Sequence, residues 1–181
     1  MANGSTIRSS VRLALDRGPA PSFADLAARY LEEYLDKICA TIDGLSHEQI
    51  WWRPTSDSNS IGNLLMHLAG NLRLWIGNHL GGGDFVRDRS GEFAADGELD
   101  APQLVAGLAA AVEHCAAVLR ALDDDSLETV TTVQGYTVDG LGIAFHATEH
   151  MSYHCGQIVQ LAKQLRGEGH GIELYPQHSD E

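Results

Sequence analysis

Apolar residues return every three or four positions in four separate stretches of this chain, and that period commits it to amphipathic helices. The first stretch begins near Ser22, a candidate N-cap, with Asp25 three residues on as a shorter substitute for the usual Glu of a capping box. Phe23, Leu26, Tyr30, Leu31, Tyr34, Leu35, Ile38 and Ile42 form its expected core-facing stripe, and Asp43 with Gly44 ends it. The second begins at Asn59 or Ser60, carries Ile61, Leu64, Leu65, Leu68, Leu72, Trp75 and Ile76, and stops at the three glycines of 81–83. The third opens with Asp100 as N-cap, Pro102 in the first turn and Gln103 closing a capping box. Its stripe is Leu104, Leu108, Val112, Cys115, Leu119 and Leu122, with an exit at 123–125. The fourth runs from about Val138 to Arg166, with Gly167 well placed just past its end. Four such helices with little strand between them predict an all-α four-helix bundle.

The connections carry their own signals. Trp51 and Trp52 precede Arg53 and Pro54, where helix is disfavoured, and large aromatics there plug the end of a core or line a pocket. Residues 84–100 form a charged connection longer than most, which points to function or disorder. The run "ETVTTVQGYTV" is rich in β-branched residues and reads as a short hairpin or as extended chain. The organisation expected is a lead-in over 1–20, the bundle over 21–167 and a tail over 168–181.

Charge and cysteine content narrow the function classes. A formal net charge of −13 repels phosphate backbones and anionic membrane surfaces, so no nucleic-acid or membrane partner is expected. No apolar run is expected to reach the roughly 20 residues that span a bilayer, and the first residues lack the apolar segment of a signal peptide. Three scattered cysteines, Cys39, Cys115 and Cys155, do not make a disulfide framework and suit a reducing cytoplasm.

The most informative stretch is "HATEHMSYHCGQ", in which His146, His150 and His154 follow one another at four-residue intervals. On a helix they form one ridge, and two imidazoles so spaced can hold one metal ion. All three cannot, because the outer two are about 12 Å apart along the axis. A further ligand must come from another helix, and His67, near the apolar face of the second, is the natural candidate. Tyr153, Gln157 and Ile158 give the ridge the mixed surroundings of a cavity. Glu149 reads as solvated, and Cys155 points about 100° away from His154.

"WWRP", "SNSIGNLLMHLAGNLRLWI", "RSGEF" and "HATEHMSYHCGQIVQL" together resemble the DinB-like superfamily of four-helix metalloproteins, over roughly residues 22–166. The resemblance implies a metal held by one histidine of the second helix and two of the last, here His67, His150 and His154. It leaves His146 over, as pocket wall, substrate contact or bystander.

Three neutral imidazoles leave an open coordination position, the mark of a catalytic rather than a structural metal, and zinc, nickel or ferrous iron would suit them. Such a centre stabilises a thiolate or lowers the pKa of water. Enzymes that the superfamily resembles use the first option, acting with low-molecular-weight thiols such as mycothiol or bacillithiol. The leading expectation is therefore a metal-dependent thiol S-transferase or isomerase acting on a small molecule. The alternatives are a non-enzymatic metal-binding, stress-associated protein and a metal-dependent hydrolase, the last disfavoured because no carboxylate is clearly placed at the site. Arg87 and Arg89 read either as partners for substrate carboxylates or as solvated charges. A homodimer is expected, partly from the resemblance and partly because Tyr30, Tyr34, Trp51, Trp52 and Trp75 exceed what one bundle face can cover.

Overall fold

Residues 21–175 are described by the computed structural model. The expected lead-in over 1–20 lies outside them, as do residues 176–181 of the expected tail. Four long helices make the bundle: α1 (Phe23–Ile42), α3 (Ile61–Leu72), α5 (Ala101–Ala121) and α7 (Gly140–Arg166). Short helices punctuate the connections: α2 (His47–Trp51), α4 (Arg89–Ala94) and α6 (Asp124–Glu128). Helix α1 packs on α5 and α7, and α3 packs on the same two, so α1 and α3 face each other across the core.

Local chemistry sets the helix starts. Ser22 accepts from the Asp25 amide while Asp25 reaches back, and Ser60 with Asn63 and Asp100 with Gln103 close the same reciprocal box. Gly167, at φ +73°, ends α7. The run before α7 is a hairpin, β1 (Val130–Val133) with β2 (Tyr136–Asp139), antiparallel with Val133 opposite Tyr136. Its turn residues Gln134 and Gly135 both have positive φ, as a two-residue hairpin turn demands. β2 claims Val138, so α7 starts two residues later than expected, capped by Asp139.

Three expectations need correction. The face that α1 buries is lined by Ala24, Ala27, Ala28, Leu31, Ile38 and Ile42. Phe23, Leu26, Tyr30 and Tyr34 flank it, because the small alanines let neighbouring helices approach and leave no room for rings. Second, α3 gives way after Leu72 to a π-helical segment, Arg73–Asn78. Third, α5 is long and apolar enough, by length and composition alone, to cross a membrane. In the bundle it is one-sided, burying Leu104, Leu108, Val112, Cys115 and Leu119 against α1 and α3.

The two connector tryptophans part company. Trp51 is 7% exposed and donates its indole N–H to the Leu99 carbonyl at 2.9 Å, whereas Trp52 is 40% exposed. A Cβ on Gly62 would stand 2.9 Å from the Trp51 ring, so glycine is what admits the plug. Trp51→Ala should cost about 3–5 kcal/mol in urea unfolding, and Trp52→Ala within about 0.5 kcal/mol of nothing. Similar losses at both positions would show that Trp51 does not plug the core.

Candidate metal centre

Where α3 meets α7, three imidazoles converge. The Nε2 atoms of His67 and His150 are 3.2 Å apart, and those of His150 and His154 are also 3.2 Å apart. One nitrogen from each lies within 4.8 Å of the other two, a spacing suited to one shared ion. His146 stays outside, its ring centroid 4.1 Å from that of Trp75. Trp75 is itself buried, within the π-helical segment. Glu149 is exposed, and buried Cys155 has its thiol pushed up to about 11 by burial, so it stays protonated. All three cysteines are free.

The far sides of two rings are pinned. Glu92 Oε2 lies 3.0 Å from His67 Nδ1, and Gln157 Oε1 lies 2.7 Å from His154 Nδ1. An Nδ1–H donating to Gln157 leaves the His154 Nε2 lone pair directed at the centre, and His67 does the same in the tautomer whose Nδ1–H donates to Glu92 rather than accepting from Arg87 Nη2, 2.9 Å away. The Nδ1 of His150 is buried without a hydrogen-bond partner. Burial first, then the neighbouring imidazoles, push His150 down to about 3. Burial also lowers His154, against the Gln157 hydrogen bond, and lowers His146. These imidazoles are therefore neutral at neutral pH, as metal ligands must be.

Glu92 is the residue the sequence did not reveal. It sits on α4, inside the 84–100 connection, and is 7% exposed. Arg87 grips it with two bonds, Nε to Oε1 at 2.7 Å and Nη2 to Oε2 at 2.8 Å. The guanidinium also donates to the His67 carbonyl at 3.3 Å. Burial would raise the Glu92 carboxyl, but the bonds from His67 and Arg87 outweigh it and hold the pKa below the usual carboxylate range. Arg87 is thus neither solvated nor free for a substrate, while exposed Arg89 lies over the Phe93 ring at 4.9 Å.

The chain builds this arrangement from α3 outward. A Cβ on Gly70 would collide with Glu92 Oε1, so that glycine makes the slot for the carboxylate. Asn63 caps α3 with its oxygen and spends its amide N–H groups on the carbonyls of Glu92, at 3.0 Å, and Ala95, at 2.9 Å. Arg53 adds bonds to the Phe93 and Ala95 carbonyls, and the Phe93 ring packs 4.7 Å from that of His67.

The sequence model of the mycothiol-S-transferase family matches residues 26–167. The chain belongs to that family. It is thereby a DinB-like protein, and its fold recurs in solved structures of this kind. A conserved protein of Enterococcus faecalis superposes with a TM-score of 0.66 at 18% identity, over 82% of this chain and 100% of that one. A DinB-like protein of Bacillus subtilis gives 0.61 at 16% identity, over 80% and 94%. One of Bacillus cereus gives 0.62 at 14%, over 77% and 90%. At such identities the likeness establishes the fold alone. No curated protein matches the sequence.

Removing Glu92 strands a buried guanidinium. Glu92→Ala should therefore destabilise the metal-free protein by about 3–5 kcal/mol in urea unfolding, and the Arg87→Met/Glu92→Leu pair by far less. A loss below about 1 kcal/mol for Glu92→Ala would mean that water reaches the pair and that it does not anchor the loop.

Proposed function

We propose that this mycothiol S-transferase family member binds a divalent ion, zinc, nickel or ferrous iron, through His67, His150 and His154. It would use that ion to transfer or isomerise a small molecule with a low-molecular-weight thiol. The observation that carries the reading is the convergence of one ring nitrogen from each of the three histidines within 4.8 Å, with the His67 and His154 rings held by Glu92 and Gln157. The donor set fits: three imidazoles in partly buried surroundings suit borderline divalent ions and leave coordination open to a substrate atom. A bound ion would supply the Lewis acidity that keeps a thiol deprotonated at neutral pH.

The protein's own residues orient the donors. Glu92 and Arg87 fix the His67 ring, Gln157 fixes that of His154, and the Phe93 ring packs against that of His67. Glu92 is committed to Arg87 and His67, so it is not a free general base; that favours thiol chemistry over hydrolysis. A cytoplasmic setting, where thiols stay reduced, suits the free cysteines.

The test is metal analysis followed by cobalt substitution. Ala at His67, His150 or His154 should lower metal affinity by orders of magnitude, while His146→Ala should keep stoichiometric metal. Adding mycothiol to the cobalt protein should produce sulfur-to-metal charge-transfer absorption. Metal lost with His146→Ala but kept with His154→Ala would refute the ligand set. Full metal occupancy with no thiol response would favour a metal-binding protein without turnover.

A homodimer is part of the proposal. Trp51 and Trp75 are buried in the chain's own core and do not support it, but Phe23, Phe145 and Tyr153 remain exposed. They rim an apolar groove of about 440 Å³ between α1 and α7, with Tyr30 and Tyr34 in its wall. We take a second copy as its occupant, so light scattering at micromolar concentration should give about twice the 19.6 kDa chain mass. A monomer mass would remove the dimer.

A further inference from the structure

Behind two of the three converging imidazoles stands an oxygen: Glu92 Oε2 beside His67 Nδ1 and Gln157 Oε1 beside His154 Nδ1. His150 is different. Its Nε2 is 3.2 Å from that of each neighbour, but its Nδ1 is buried with no hydrogen-bond partner. A histidine that gives one ring nitrogen to an ion ordinarily turns its other N–H to an acceptor, which fixes the tautomer and the ring.

The complement lies on α3. His67, Asn71 and Trp75 follow one another at four-residue intervals, as His146, His150 and His154 do on α7. The two ridges run antiparallel: the His67 ring centroid is 5.0 Å from those of both His150 and His154, whereas that of Trp75 is 4.1 Å from that of His146. Four residues rise about 6 Å, so Asn71, midway from His67 to Trp75, comes level with His150. Asn71 is 3% exposed, and its Oδ1 is buried without a partner. Among the described residues, four buried side-chain polar atoms lack a partner, and three of them lie along this one seam: Asn71 Oδ1, Trp75 Nε1 and His150 Nδ1. Native interiors leave few such atoms, so a cluster of them points to one small polar partner held in common. No hydrogen bond joins Asn71 to His150 directly, and a water is the molecule that bridges such a separation.

We propose that Asn71 is the positioning residue of His150: its Oδ1 anchors one buried water, and that water holds the His150 Nδ1. The proposal rests on the metal reading above and adds the third outer partner to the two already described. Water suits the place for a chemical reason. With Nε2 on an ion, His150 carries its proton on Nδ1 and donates. Without an ion, an Nε2–H can donate to a neighbouring Nε2 3.2 Å away, and Nδ1 then accepts. A water donates as readily as it accepts, so it serves both tautomers while keeping one hydrogen on Asn71 Oδ1.

The experiment measures zinc affinity by chelator competition in the wild type, Asn71→Leu and Asn71→Asp, and reads water contacts to His150 by NMR. Leu matches asparagine in size and removes the acceptor, while Asp keeps an oxygen at the same reach. Asn71→Leu should weaken zinc binding at least about tenfold, and Asn71→Asp should stay within about threefold of the wild type. A role in packing alone gives the opposite order, because Leu suits a core and Asp buries a charge. In the wild type, rotating-frame Overhauser contacts should join a long-lived water to the His150 ring protons, and they should vanish in Asn71→Leu. Unchanged zinc affinity in Asn71→Leu, a loss that the folded Asp variant does not restore, or no water contact in the wild type each overturn the proposal. The wild-type spectrum decides even where a variant does not fold. If the wild type takes up neither zinc, nickel nor ferrous iron, the metal reading fails, and the bridge is judged in the metal-free protein by the same contacts. Present in the wild type and lost in Asn71→Leu, they sustain it; absent from the wild type, they overturn it.

Discussion

The buried ion pair between Arg87 and Glu92 is the contact on which the arrangement around the imidazoles depends. It takes a long, charged connection that polymer entropy would leave loose and fastens it over α3. A bidentate pair in such a place stabilises little by itself, because desolvation offsets much of its attraction. Its contribution is specificity: neither charge can leave without stranding the other, so the loop has one low-energy seat. The same carboxylate that locks the loop also orients His67, which joins the order of a surface segment to the aim of a core imidazole.

That seat is prepared by small and reciprocal residues on α3. Gly70 leaves the slot, Gly62 admits Trp51, and Asn63 serves its own helix start and the α4 carbonyls together. Opposite them, α7 offers a histidine each turn, and the packing of α3 on α7 decides which ones meet His67. The imidazole cluster and the fold share these positions, so substitutions in α3 will seldom affect one alone.

Helix starts were readable in the sequence because a cap is local: Ser22, Ser60 and Asp100 announce themselves with the partner three residues on. The resemblance carried His67 and the pair on α7, and in the structure those three side chains meet. What escaped was non-local. Glu92 looked like any loop carboxylate, since nothing in its neighbourhood tells that Arg87 folds back on it or that Gly70 makes room. The α1 stripe was misjudged for a related reason. Hydrophobicity ranks tyrosine and phenylalanine above alanine, while close helix packing ranks them the other way. The short α4 was hidden because one and a half turns give too few residues for a period.

The π-helical segment after Leu72 has a consequence for how this site can diversify. A π turn is what an α-helix becomes when it absorbs one additional residue without breaking. Upstream of it, His67 and the Glu92 slot keep one angular phase; within it, Trp75 is set against His146. The helix therefore works as two segments with separate phases on one axis. A lineage could change the length of the second segment, and so re-aim the wall that Trp75 provides, while the imidazole cluster stayed where it is.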